Sequence, residues 1–341
     1  MTFNETACFF LPLRQSLRPP ARPSKWILGL LSILLCFQVA AQTDYPNRPV
    51  HMIVITPPGG GADSIARLVA QRLAAPLGQS VLVENRAGAG GNIASQYVAK
   101  SKPDGYTLLV TANNHNMNPL IYPDAGYQAA RDFVPVVELS EGPSILVVPR
   151  TSKFQTLAQL VAAAKAEPNT ISYGSAGFGQ PVHIAMELFM NAAKIQLVHV
   201  PYKGAAPALQ DALGGQIPVA ISSLVGALPH ITSGGLRPLA LTGAKRWPTL
   251  LDVPTLAELG YPDATYSTWV GIMAPAGTDA AIVNRLNKEI SAILADPAVR
   301  DRVVSLGASP GGAPQPVFQA KIQKDRTIHE QVVARTGMKA Q

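Results

Sequence analysis

The chain has 341 residues, 47% of them hydrophobic, 14% charged and 6% aromatic, with a formal net charge of +7. That length admits two domains and a sizeable core, and the low charged fraction excludes disorder driven by charge. The basic residues are scattered, with no Lys/Arg run and no interleaved aromatics, so nucleic acid is not an expected partner.

In chain order, Arg14, Arg18, Arg22 and Lys25 precede the apolar run "ILGLLSILLCF" and the small residues of "QVAAQ". A run this short falls below the roughly 20 residues that span a bilayer. It fits residues 1–41 as an export signal cleaved near Ala41, with a retained membrane anchor as the alternative. Leu35 before Cys36 does not suit a lipoprotein signal. Loss of the segment lowers the net charge to +4 and removes both cysteines, Cys8 and Cys36. The mature chain then has no disulfide, thiolate nucleophile or cysteine-bound metal.

The strand-like "VHMIVIT" leads into a helix with Ile65, Leu68, Val69 and Leu73 at helical spacing. "SVLVEN", the glycine-rich "RAGAGGN", a short helix and "YTLLVTAN" follow. This β-α-β-α-β order predicts a parallel sheet covered by helices. Beyond the long extended "FVPVVELSEGPSILVVP" the alternation resumes through "TLAQLVAAAKAE", "TISYGSAGFGQ", "PVHIAMELFMNAA", "IQLVHVPYKG", "APALQDALGG", "IPVAISS" and "LRPLALTG". After "STWVGIMAPAG" come helices, the last from about Pro316. The extended stretches near 133–149 and 264–275 are the expected crossings between two lobes. Residues 42–140 with 270–341 form one, and 141–265 the other.

Open α/β sheets bind ligands beyond the carboxyl ends of their strands. "PPGGGAD" sits at such an end and opens a helix, whose first N–H groups and dipole suit an anion. Asp63 is read either as an N-cap accepting from Ile65 or Ala66, or as a ligand contact. No Lys follows these glycines and a third spaced glycine is missing, so both nucleotide-loop patterns fail. "YGSAGFGQPVHIAMELF" repeats the strand-to-helix arrangement, with Ser175, Ala176 and Gly177 placed to hold an anionic group. A hydrolase elbow needs glycine where Tyr173 stands, and His183 with Glu187 reads as an i,i+4 pair. Ala112 and Asn113 in "VTANNHNMNP", Lys203 in "VPYKGAAPALQ" and Ser222 after "IPVAI" are further candidates. Lys203 reads equally well as a solvated side chain, and Trp269 as a cleft or a hinge residue. No metal cluster, catalytic triad or cofactor motif emerges.

The segments "PGGGADSIAR", "VENRAGAGGNIASQYVAKSKPDGYTLL", "YGSAGFGQPVHIAMELF", "VPYKGAAPALQDALGGQIPVAIS", "LPHITSGGLRPLALTGAKR", "DVPTLAELG" and "WVGIMAPAGT" together resemble the Bug family, the substrate-binding proteins of tripartite tricarboxylate transporters. The likeness covers nearly the whole mature chain. It implies a two-lobed type II periplasmic-binding-protein fold, α/β in each lobe, closing like a flytrap on a small mono-, di- or tricarboxylate. It also implies a monomeric periplasmic receptor that uses no cofactor and works with membrane transporter subunits. Carried over, the family's backbone-amide grip falls on Gly60, Gly61, Ala62 and Asp63, facing Ser175, Ala176 and Gly177. Where many members have Ser or Thr, Ala62 offers only its amide. The alternative reading is an exported α/β hydrolase using Ser175 with His183.

Overall fold

The computed structural model describes residues 45–340; the expected signal segment, 1–41, lies outside them. Strand β1 (Val50–Val54) is apolar and almost wholly buried, as a central strand of a parallel sheet must be. It pairs in parallel with β2 (Val81–Asn85) and β3 (Thr107–Ala112). Helix α1 (Gly61–Leu77) crosses between β1 and β2, burying Ile65, Ala66, Val69, Ala70 and Leu73, and ends at Gly78 with φ 66°. Its left-handed cap is open to glycine at little cost. Helix α2 (Asn92–Ala99) returns the chain from β2 to β3.

Strand β4 (Phe133–Pro149) runs for 17 residues and changes partners along its length. Phe133 to Pro143 pair antiparallel with β9 (Ser267–Pro275), which in turn pairs with β3. Ser144 to Pro149 pair instead with β7 (Val219–Ser223) and β8 (Leu236–Leu241). Pro143 has no N–H to donate and sits where one set of partners gives way to the other. The second set continues in parallel through β5 (Ser172–Ser175) to β6 (Val198–Pro201). The two-residue β10 (Ser309–Pro310) adds to the first half of β4. The result is a two-lobed α/β fold on one curled mixed sheet, in which β4 belongs to both halves.

Three helices in the second half start at strand ends: α6 (Pro181–Ala193), α7 (Ala205–Leu213) and α8 (Leu224–Thr232). A fourth, α5 (Leu157–Ala166), is capped by Thr156, whose hydroxyl accepts from the Gln159 amide. Two short helices, α3 (Asn114–Ile121) and α4 (Ala129–Asp132), follow β3, and the chain closes with α9 (Ala280–Ala295), α10 (Pro297–Ser305) and α11 (Gln315–Thr336). "NHNMNP" falls within α3, and its asparagines are buried. Asn116 donates to the Ile322 carbonyl and Asn118 to Asn92. Helix α11 starts with Phe318 against Trp269, and its far end places Val332 in the cluster around Tyr173, Ile184 and Phe189. Among the described residues no helix is long and apolar enough to cross a membrane.

Candidate functional site

A cavity of about 770 Å³ opens at the carboxyl ends of the parallel strands. The N-termini of α1, α6, α7 and α8 all reach its wall, through Gly60 to Ala62, Gln180 to Val182, Gly204 with Ala205, and Ser223 with Val225. Each such terminus directs unpaired N–H groups and the positive end of a helix dipole forward. Among the described residues Lys203 is the one charged side chain on the wall, and no Asp, Glu, Arg or His lines it. Ile55, Ile65, Tyr122, Phe178, Val182, Val225 and Val270 supply an apolar body. Such a wall favours a small anion with apolar surface and offers no partner for a second buried charge.

The two glycine loops share one backbone design. In the first, the Gly60 amide donates to the Pro57 carbonyl at 3.2 Å, closing a β-turn with Gly59 at φ 80°. In the second, the Gln180 amide donates to the Gly177 carbonyl at 3.4 Å, with Gly179 at φ 69° in the equivalent place. A turn with positive φ at its third residue favours glycine there. The helix N-caps that follow match as well: Gly60 has φ −67° and ψ 159°, Gln180 φ −68° and ψ 155°. Neither cap uses its own side chain. Instead the third helical residue reaches back four positions to the turn glycine. The Gly59 amide donates to Asp63 Oδ2 at 2.9 Å, and the Gly179 amide donates to His183 Nδ1 at 3.1 Å.

Seven of the sequence-predicted residues line the cavity: Gly60, Gly61, Ala62, Ala112, Ala176, Gly177 and Lys203. Four lie behind its wall. Asp63 neither caps α1 through Ile65 or Ala66 nor lines the cavity, because the helix starts two residues earlier at Gly61. Its carboxylate holds the turn, and also accepts from Asn85 Nδ2 at 2.8 Å and pairs with Arg67 at 3.0 Å. Burial pushes its pKa up, but the bonds from Arg67, Asn85 and Gly59 outweigh that and hold it below the ordinary value. Asn113 follows Ala112 and points away from it into the protein. There it donates to Asp325 at 2.7 Å and accepts from the Trp269 amide at 2.9 Å. Ser222 is buried on the inner side of β7, and its neighbour Ser223 lines the cavity and caps α8 through the Gly226 amide.

Ser175 is fully buried, and its hydroxyl accepts from the Gly177 amide at 3.1 Å. It pairs with His199 Nε2 at 2.6 Å, not with His183. The Ser175–His183 pairing of the hydrolase alternative is therefore not made: both residues are spent on holding glycine amides. His183 and Glu187 do approach as an i,i+4 pair, at 3.6 Å. The Gly177 and Gly179 amides are thus engaged internally, while Ala176, Gly177 and Phe178 line the cavity.

Sequence reading missed Thr56, Tyr122, Phe178, Thr268, Val270, Gly307 and the Gly88–Gly91 stretch of the wall. The run "RAGAGGN" carried a signal, since a side chain at Gly91 would meet Ile55 at 3.1 Å. A side chain at Gly307 (φ 93°) would meet the Val225 backbone nitrogen at 3.0 Å, from a loop far downstream of β1, and nothing local marks it. Trp269 packs the crossing strand, 1% exposed, donating its indole N–H to Asp325, while its neighbours Thr268 and Val270 face the cavity. Among the described residues no group of His, Cys, Asp and Glu could hold a metal ion.

The family model for the tripartite tricarboxylate transporter family receptor matches residues 65–337. Protein BugT of Bordetella pertussis is 40% identical over 274 residues, covering 80% of this chain and 84% of that protein. Among solved structures, R. palustris Rpa4515 with adipate superposes with a TM-score of 0.82 at 36% identity, over 86% of this chain and 99% of that one. Periplasmic binding protein BugD gives 0.80 at 33% identity, over 87% and 100%. The chain belongs to the tripartite tricarboxylate transporter receptor family and is a solute-binding receptor of the periplasmic-binding-protein fold.

Proposed function

We propose that the protein is a periplasmic receptor that closes on a small carboxylate between its two glycine turns and hands it to a tripartite membrane transporter. The observation that carries this reading is the matched pair of turns at helix N-termini on a wall that, among the described residues, carries Lys203 as its one charged side chain. Charge-assisted bonds from neutral amides are strong where water is scarce. Gly61 and Ala62 in one turn, and Ala176 and Phe178 in the other, would grip one carboxylate. Lys203 would meet a second acidic group at the rim. The apolar wall favours an acid with a hydrocarbon body, of which the adipate of the Rpa4515 structure is an example. Strand β4 and the approach to β9 would serve as the hinges, with 42–140 and 270–341 as one lobe and 141–265 as the other. Closure follows from the ligand's higher affinity for the closed form.

The test is thermal unfolding of residues 42–341 against aliphatic and aromatic mono- and dicarboxylates, citrate, amino acids, phosphate and sugars. A ligand at 100 times its Kd adds about 2.7 kcal/mol, so binding raises Tm by several degrees. A response confined to some carboxylates is the expected result. A flat panel with ligand-free refolded protein would sink the reading.

A further inference from the structure

The two turns are alike in backbone and differ in what holds them, and only one of the holders is an imidazole. In the first turn the acceptor for the glycine amide is the ionised Asp63, itself clamped by Arg67 and Asn85. In the second it is an imidazole nitrogen, His183 Nδ1. That nitrogen accepts only while it carries no proton, because an imidazolium donates from both nitrogens. Protonation would set two donors, Nδ1–H and the Gly179 N–H, against each other.

The groups facing His183 come from several elements. Glu187 on its own helix stands 3.6 Å from Nε2, and Arg335 of α11 donates to the Glu187 carbonyl at 3.3 Å. His199 on β6 stacks on His183 with ring centroids 3.9 Å apart and planes 22° apart. On its other face His199 stacks on Tyr173 of β5 at 4.9 Å, and its Nε2 meets the Ser175 hydroxyl that holds the Gly177 amide. Phe178, at the tip of the turn, leans on His183 at 5.2 Å. The glycine amides on both sides of Phe178 thus rest on one stacked pair of imidazoles, Gly179 directly and Gly177 through the Ser175 hydroxyl.

We propose that His183 is a positioning residue for the second turn, so that its protonation releases the Gly179 amide and weakens the hold on a bound anion, while the first turn stays set. This rests on the carboxylate reading above for the anion but not for the turn.

The variants follow from the molecule itself. Asp63 shows that a side chain of Asp or Asn length, at the same helical position, reaches the same turn amide. His183→Asn therefore supplies an acceptor that does not titrate, and His183→Leu supplies none. Protection of the Gly59 and Gly179 amides from hydrogen exchange is measured in wild type and both variants at pH 8 and pH 5.5, with adipate affinity by calorimetry on the same samples. In wild type, Gly179 should lose at least tenfold in protection at pH 5.5 while Gly59 holds, and adipate should bind about tenfold more weakly. His183→Asn should keep Gly179 protected at both pH values. It also controls for protonation of adipate itself, so its own change in affinity is subtracted. His183→Leu should leave Gly179 unprotected at both. Gly179 protection indifferent to pH and to His183→Leu would overturn the proposal. So would adipate affinity that changes with pH equally in wild type and His183→Asn. If Gly179 responds as expected and wild type does not bind adipate or any other carboxylate at pH 8, the positioning role stands and the carboxylate reading fails.

Discussion

The turn at Pro57–Gly60 and the turn at Gly177–Gln180 have nearly the same backbone, yet they are built into the protein in opposite ways. The first is anchored by charge: a buried carboxylate with three donors, on a segment whose turn glycine has open space around it. The second is anchored by stacked imidazoles and a buried hydroxyl, and its turn glycine is packed against α3. One backbone shape can therefore be reached by electrostatics or by packing. The choice decides which perturbation each turn will tolerate.

The largest contrast is expected from one substitution made at both turn glycines. A Cβ at Gly179 would run into Ile121 Cδ1 in addition to the left-handed strain, whereas a Cβ at Gly59 meets nothing within 4 Å. Gly179→Ala should cost about 3–4 kcal/mol by urea unfolding, and Gly59→Ala only the strain of about 1–2 kcal/mol. Equal costs would mean that packing does not distinguish the turns.

Next comes the charged anchor. Asp63→Ala leaves the Gly59 amide and Asn85 without their acceptor and should destabilise by about 2–3 kcal/mol. Because bonding holds the Asp63 pKa below its ordinary value, its contribution is present above about pH 4 and fades as the carboxylate is protonated. Between pH 8 and 5 the effect of Asp63→Ala should therefore be constant.

Acid titrates the packed half of the comparison. Burial, with His183 beside it, lowers His199 to about 3, and burial lowers His115 and His329 to about 4. The unfolded chain takes up these protons near pH 6.5 and the native chain does not, so stability falls as pH drops from about 6.5 to about 4. Asp325 acts in the other direction. Burial raises it to about 6 despite the bonds from Trp269 and Asn113, so its native form holds a proton that the unfolded chain has lost, and stability falls as pH rises from about 4 to about 6. Both bonds go to the same oxygen, Oδ2, so Asp325→Asn can keep an acceptor in that place. That variant should be about 1–2 kcal/mol more stable than wild type at pH 7 and should lose its advantage by pH 4. Tm measured across this range checks it.

The smallest effect is expected at the rim. Lys203→Met should leave stability within about 0.5 kcal/mol and weaken a dicarboxylate more than the matching monocarboxylate. Equal losses for the two ligands would remove Lys203 from the site.

How far the sequence could be read depended on range. "PPGGGAD" and "GSAGFG" were legible because turn chemistry is local: glycines at a strand end ahead of an amphipathic pattern specify a turn and a helix N-terminus. The role of Asp63 was not, since its cap reading needed the N-cap at Asp63, whereas it falls at Gly60. Asn113 and Ser222 sit on segments that reach the cavity through Ala112 and Ser223, but their own side chains lie behind the wall, a distinction a loop-level reading does not make. The apolar wall was invisible for a different reason. Thr268, Val270 and Gly307 reach the cavity from strands and loops joined to β1 only through the sheet, and no spacing in the chain encodes that meeting.

The sequence alone thus determined the alternation of strands and helices, the two glycine turns at helix N-termini and the family, because periodicity, glycine placement and motif order are properties of neighbouring residues. Tertiary structure alone decided that β4 serves both halves of the sheet and that His199, not His183, takes the Ser175 hydroxyl. It also decided that one turn rests on a charge and the other on stacked rings. These depend on which distant segments the buried core brings within a few ångströms, and a linear pattern holds no record of that.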